Sequence, residues 1–256
     1  MGSLIGHVLP GTAFLALGLW HLFNHIKLYS LHPNSYTSSP WFPTPKLRFK
    51  PKAQLGLTQL LGAVAFGQQF FLFHLHSTDH KGLEGQYHLL LQAIIIVSLV
   101  TTLTGIGLPR SFLVSFVRSV SIVFQGVWLI VMGYMLWTPK LIPKGCALYD
   151  EDDHHVVRCG SQESLHRAKS LVNIQFSWLL IGIAIFAISF YLGLVERFGK
   201  RVEHYSALPK EFEEMKEEEE EEVFSDVESQ KEKKFGESRG SFIHMGAGLA
   251  PFNMER

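Results

Sequence analysis

The stretch LLLQAIIIVSLVTTLTGIGLPR, residues 89–110, decides how this chain folds. From Leu89 to Leu108 it carries no charged residue, and Ile94, Ile95, Ile96 and Val97 follow one another without a polar break. A bilayer core of about 30 Å takes about 20 mostly apolar residues in a helix. Helix is also the form whose backbone hydrogen bonds close within one segment, as lipid demands. Gly107-Leu108-Pro109-Arg110 then reads as a tight turn. The next apolar run, roughly Phe112 to Trp137, returns as the partner of a helical hairpin.

Three further segments have the same character: Leu4 to Leu22, Leu55 to Leu75, and roughly Ile174 to Val195. Pro10 sits near the start of the first, where a missing N–H costs least. Trp137-Thr138-Pro139-Lys140 closes the fourth span with an interfacial Trp and a helix-stopping Pro. Trp20 and Trp41 suit the same aromatic belt. The expectation is all-α: a polytopic transmembrane helical bundle of five spans over residues 1–196. A cytosolic, largely disordered acidic tail follows over residues 197–256.

Composition agrees with that division. Apolar residues make up 47% and charged residues 18%, the latter below the usual quarter. Most acidic residues lie after residue 195. The formal net charge of zero gives no reason to expect nucleic acid. The expected partner is the lipid bilayer, with self-association as a homo-oligomer and basic partners for the acidic tail as further expectations. The N-terminus MGSLIGHVLPG lacks the basic region of a cleavable signal peptide, and Gly6 stands where N-myristoylation wants Ser or Thr.

Orientation follows from Lys and Arg near the span ends. With the N-terminus outside or luminal, the cytosolic connections hold Lys27, Lys46, Arg48, Lys50, Lys52, Arg110, Arg197, Lys200, Arg201 and Lys210. The outer ones hold Lys81, Lys140, Lys144, Arg158, Arg167 and Lys169. The longer set favours an outer N-terminus and a cytosolic C-terminus.

Polar residues within spans face neighbours or a cavity, because lipid does not solvate them. They are Thr58, Gln59, Gln68 and Gln69 in span two, Gln125 in span four, and Asn173 and Gln175 at the start of span five. Arg118, two turns into span four, is expected to snorkel or to pair with a carboxylate. Helix–helix bonding is the plain reading of the amides. No Asp or Glu falls inside the five spans, which argues against a proton-coupled pump. Gly62, Ala63, Phe66 and Gly67 suggest a small-residue packing face in span two.

The connection HLHSTDHKGLEGQYH, residues 74–88, gathers histidines beside a membrane face. His7, His74, His76, His80 and His88 all fall on the outer side and are candidate ligands for a transition metal such as zinc. His154, His155 and His166 share that side. His74 and His76 are two residues apart, so on one helix they diverge by roughly 200°. Interfacial histidines with no ligand role are the competing reading. His21 and His25 sit at the other end of span one with the i, i+4 spacing of a ligand pair. No Walker loop, serine elbow or paired intramembrane carboxylate appears, so an enzyme would have to use the histidines.

Cys146 and Cys159 lie in the outer connection of residues 138–170, where an oxidising lumen would join them in a disulfide. The tail segment EFEEMKEEEEEEVFSDVESQKEKK, residues 211–234, cannot bury a core. It is expected to be disordered or a solvated, fraying helix. Ser225 stands among acids as a phosphorylation candidate, and Tyr205-Ser206-Ala207-Leu208 matches a tyrosine-based sorting pattern.

Several of these stretches carry a family resemblance. GHVLPG at 6–11, LGLWHLFNHIKLYSLHPNSY at 17–36, QFFLFHLHSTDHKGLEGQYHLLLQ at 69–92, FQGVWLIVMGYMLWTPKLIPKGC at 124–146 and HRAKSLVNIQFSW at 166–178 resemble the plant branch of the transmembrane protein 45 family. That family is also called domain of unknown function 716, and plant members are often labelled as related to viral or stress response. The resemblance implies a multi-span membrane protein with its N-terminus outside, and no particular reaction. It also implies seven spans. Here Lys46-Leu47-Arg48-Phe49-Lys50 runs straight into Pro51-Lys52-Ala53-Gln54, where about two further spans are expected. An internal deletion, a splice variant or a gene-model error would each produce that, and the orientation of the later spans is the same in all three. Two readings of function follow: a non-enzymatic helical membrane protein, or a metal-binding membrane enzyme or carrier using the outer histidines.

Overall fold

A computed structural model describes residues 3–38, 51–79, 82–151 and 154–235; of residues 51–55, 76–79, 150–151, 154 and 200–235 it describes the backbone alone. The elements in order are α1 (Leu4–Leu31), α2 (Pro51–Asp79), α3 (Leu83–Gly107), α4 (Phe112–Trp137), β1 (Cys146–Glu151), β2 (His154–Cys159) and α5 (Gln162–Phe235). Five helical stretches are long and apolar enough to cross a membrane: Leu4–Leu31, Gly56–Leu75, Leu83–Gly107, Phe112–Trp137 and Gln162–Gly199. At 1.5 Å per residue, the 26 residues of α4 span about 39 Å, enough for the hydrocarbon core and part of the headgroup layer.

Local chemistry sets the helix ends. Ser3 caps α1 by accepting from Gly6 N–H at 3.1 Å, and Ser111 caps α4 by accepting from Val114 N–H at 3.3 Å. Gly82, at φ 93°, makes the turn into α3, a conformation a side chain would strain. α1 outruns the expected Leu22 because nothing breaks it before His32-Pro33. α3 starts at Leu83, before the apolar run, so Glu84 and His88 are helical and buried.

α4 is the central helix: 56% of its apolar window is buried, against 11% for α2 and for α5. α1 lies against α4 with backbones in near contact. A Cβ on Gly18 would come within 2.5 Å of Val123 N, and one on Gly11 within 2.8 Å of Ile130 Cγ1. A Cβ on Gly126 would run into the backbone of Leu15. The close-packing face is therefore Gly11 and Gly18 of α1 against α4, and Gly126 and Gly133 of α4 against α1, with Gly11 and Gly126 meeting each other. The expected face on α2 is looser: Gly67 has open space and Gly62 meets Thr102 Cγ2 at 3.5 Å, although Ala63 is buried.

The core gathers Leu83, Tyr87, Leu91 and Ile95 of α3 with Phe124, Trp128, Leu129, Met132 and Leu136 of α4. α5 joins through rings: Phe176 lies 4.9 Å from Phe124 and 5.0 Å from Trp128, and Tyr191 lies 5.6 Å from Phe112. The outer faces of α2 (Leu57, Leu61, Val64, Leu72) and α5 (Trp178, Ile181, Ile185, Leu192) are exposed and apolar, as lipid-facing surfaces are.

The connection after α4 is more ordered than a loop. β1 and β2 pair antiparallel with Cys146 opposite Cys159, and a disulfide joins these two at an S–S distance of 2.00 Å. The hairpin lies at the end of the bundle where α3 begins, here called the hairpin end. The opposite end holds Pro109 and is called the turn end.

Two compact units divide the chain, Met1–Val202 and Glu203–Arg256. In the second, α5 continues as helical backbone to Phe235. Glu, Lys, Gln and Met are good helix formers, and residues 210–235 contain no Gly or Pro. Residues 39–50 and 236–256 lie outside the described residues, as does the position where two more spans were expected.

Candidate functional site

At the hairpin end, three of the candidate histidines are placed by three different helices. His7 is buried on α1, its ring stacked 4.5 Å from Trp137 and 5.9 Å from His88. His88 is buried on α3, with the Phe73 ring 6.0 Å away. His74, on α2, bonds through Nδ1 to Gln92 Oε1 at 3.2 Å, and Gln92 lies one turn past His88. His7 Nδ1 lies 3.0 Å from Ser3 O and His88 Nδ1 lies 2.8 Å from Glu84 O. A carbonyl accepts only, so both Nδ1 atoms donate, and each Nε2 is then the basic nitrogen. His7 and His88 thus meet, while His74 turns to an amide. Among the described residues no three His, Cys, Asp or Glu side chains gather into a set that could hold a metal ion. His76 is described as backbone only, and His80 lies outside the described residues.

Glu84 is the buried carboxylate of this end, 2% exposed. Its Oε1 accepts from Val157 N–H of β2 at 3.0 Å, which fixes the hairpin on the first turn of α3. An acid there also meets the positive end of the helix dipole.

Several polar side chains within the spans bond to one another. Gln69 of α2 donates to Gln125 of α4 at 3.0 Å. Gln125 donates to Ser98 Oγ of α3 at 2.6 Å, and Ser98 shares a 2.7 Å hydrogen bond with Ser121. Gln86 donates to Asn173 and Tyr87 to Gln175, both pairs tying α3 to α5 at 2.7 Å and 3.0 Å. Trp128 donates its indole N–H to Tyr87 O at 3.0 Å.

A second polar cluster stands at the turn end. Arg118 donates from Nη1 to Gln59 Oε1 at 2.6 Å and from Nη2 to Ser38 Oγ at 3.1 Å. Ser38 N–H donates to Pro109 O at 2.8 Å, which holds that hydroxyl in place. Tyr36 and His25 share a 2.9 Å hydrogen bond, and the rings of His25 and His21 stack at 6.1 Å. Burial holds the Tyr36 phenol above its ordinary pKa, so it stays protonated. Among the described residues Arg118 thus meets no carboxylate; it is held by two neutral groups. Ser38 and Tyr36 lie in an aperiodic connection, and its Asn-Ser-Tyr-Thr-Ser run gives no pattern from which their role could be read.

Five apolar helices around a hydrogen-bonded polar interior define a multi-pass helical membrane protein. The model of a family of unknown function (DUF716) matches residues 55–192, more than half of the chain, and the chain belongs to that family. No curated protein matches it in sequence.

Proposed function

We propose that this chain is a non-enzymatic membrane protein, a scaffold or receptor-like component, with its N-terminus outside or luminal and its C-terminus cytosolic. The observation that carries this reading is the Gln69–Gln125–Ser98–Ser121 chain, in which intramembrane polar groups of α2, α3 and α4 are engaged with each other. Groups so engaged fix helix positions and are not presented to a substrate. The Lys and Arg distribution supports the orientation. The likeness of its motifs to the plant branch supports a place in viral or stress response, which a change in protein level on challenge would test. Protease treatment of sealed vesicles tests the orientation: the tail should be cut only from the cytosolic side. Replacing His7, His74 and His88 with Ala should leave membrane localisation and phenotype unchanged; loss of phenotype in correctly localised protein counts against the reading.

A second reading, a metal-binding enzyme or carrier, draws on one feature. His7 and His88 each donate Nδ1–H to a backbone carbonyl, the arrangement that aims Nε2 at a metal, and their rings lie 5.9 Å apart. It needs at least one more ligand.

A further inference from the structure

We propose that the Arg118 cluster at the turn end binds a phosphate-bearing anion. Arg118 lies six residues beyond the start of α4 at Phe112, and its guanidinium is turned into the bundle onto Gln59 of α2 and Ser38. A cation within the spans is costly unless a counter-charge or a full set of hydrogen bonds meets it. Guanidinium has five N–H donors. Among the described residues two of its nitrogens meet neutral oxygens and none is ion-paired with a carboxylate.

Helices α1, α2 and α4, and α3 beyond its first turn, bring no counter-charge to the site. Residues 1–78 contain no Asp or Glu, and neither do residues 85–149. That covers α1, the whole connection to α2, α2 up to Thr78, α3 beyond Glu84, and α4. Arg110 follows the Pro109 turn. Arg118 and Arg110 therefore both bring positive charge to this end.

Ser38 supplies the second observation. Its Oγ accepts from Arg118 Nη2 at 3.1 Å and from Gln59 Nε2 at 3.3 Å, and the residue is 1% exposed. With both lone pairs engaged, its O–H is left as a donor, and no acceptor for it exists among the described residues. The cluster is thus rich in donors arriving from α2, α4 and the connection. A ligand that only accepts, with several oxygens at fixed angles, satisfies such a set; phosphate does this, and the guanidinium fork matches it. Gly105 of α3 leaves the clamp room: a Cβ there would stand 2.9 Å from Gln59 Oε1 and 3.3 Å from Arg118 Nη1. Helical side chains lean toward the helix N-terminus, so Arg118 points to the turn end, where lipid phosphates lie at a membrane surface. A lipid headgroup and free phosphate are the two sources of this chemistry.

The test is thermal unfolding of the purified full chain in neutral detergent, titrated with phosphatidic acid, with phosphatidylcholine as the lipid control, and with inorganic phosphate. A rise in Tm with phosphatidic acid alone supports a lipid source, and a rise with inorganic phosphate as well supports a site open to the free ion. In either case R118Q should weaken the response at least tenfold and R118K only in part. S38A, which keeps the charge, should also weaken it and serves if R118Q does not fold. No response in the wild type, or an equal response in R118Q or S38A, overturns the proposal.

Discussion

Glu84 and Val157 join the membrane bundle to the β1–β2 hairpin: the carboxylate on the first turn of α3 accepts the strand N–H at 3.0 Å, with both residues buried. Replacing Glu84 with Ala leaves a buried N–H without its acceptor, at a cost of about 1–3 kcal/mol. Replacing it with Gln keeps an acceptor oxygen and should cost about 1 kcal/mol or less. Thermal unfolding of both variants, with hydrogen exchange at Val157, checks this; an Ala variant no worse than Gln would show that the bond contributes nothing.

The hairpin is also held by the Cys146–Cys159 bridge at its open end. Changing both cysteines to Ser should lower stability by about 3 kcal/mol in the chain-entropy model. The loss should be less than additive with Glu84→Ala, because both act on the same hairpin. Alkylation at lysis followed by reduction should shift the mobility of the proteolytic fragment that carries residues 138–170.

The α1–α4 contact depends on glycine. Gly126→Ala drives a methyl group into the backbone of Leu15, and overpacking of this kind costs about 1–3 kcal/mol. Gly67→Ala meets open space and gains helix propensity of about 0.5–1 kcal/mol. Tm values for the two should therefore move in opposite directions.

Gln125 joins α2 to α3 through Gln69 and Ser98. Gln125→Leu should cost about 0.6 to 1.7 kcal/mol, from the average to the largest value of interhelical hydrogen bonds in membranes. A double-mutant cycle with Ser98→Ala measures the part that belongs to the pair.

The spans were legible because lipid demands uninterrupted apolar length, and α4 falls where Phe112 and Trp137 mark it. Helix ends were less so. Hydropathy reports membrane thickness, while α1 runs on past it to His32-Pro33 and α5 continues as helical backbone to Phe235. The glycine face was open to reading: Gly11 and Gly18 are seven residues apart, as are Gly126 and Gly133, two turns along one face in each case. Of the candidate histidines, His7, His74 and His88 fall at one end of the bundle, but their engagement was not legible. His88 enters the core because α3 begins before its apolar run, and Gln92 draws His74 to itself. Nothing in the order of residues links Arg118 to Ser38, which are 80 positions apart.

The central claim is that the polar interior holds helices together and that His7, His74 and His88 serve packing. Metal content tests it most directly. The full-length protein is purified without chelator or added metal, its bound metals are counted by elemental analysis, and its Tm is measured before and after chelation. The account predicts no stoichiometric metal and an unchanged Tm. About one zinc or other transition metal per chain, with a Tm that falls on chelation and a loss of metal in His7→Ala and His88→Ala, would contradict it.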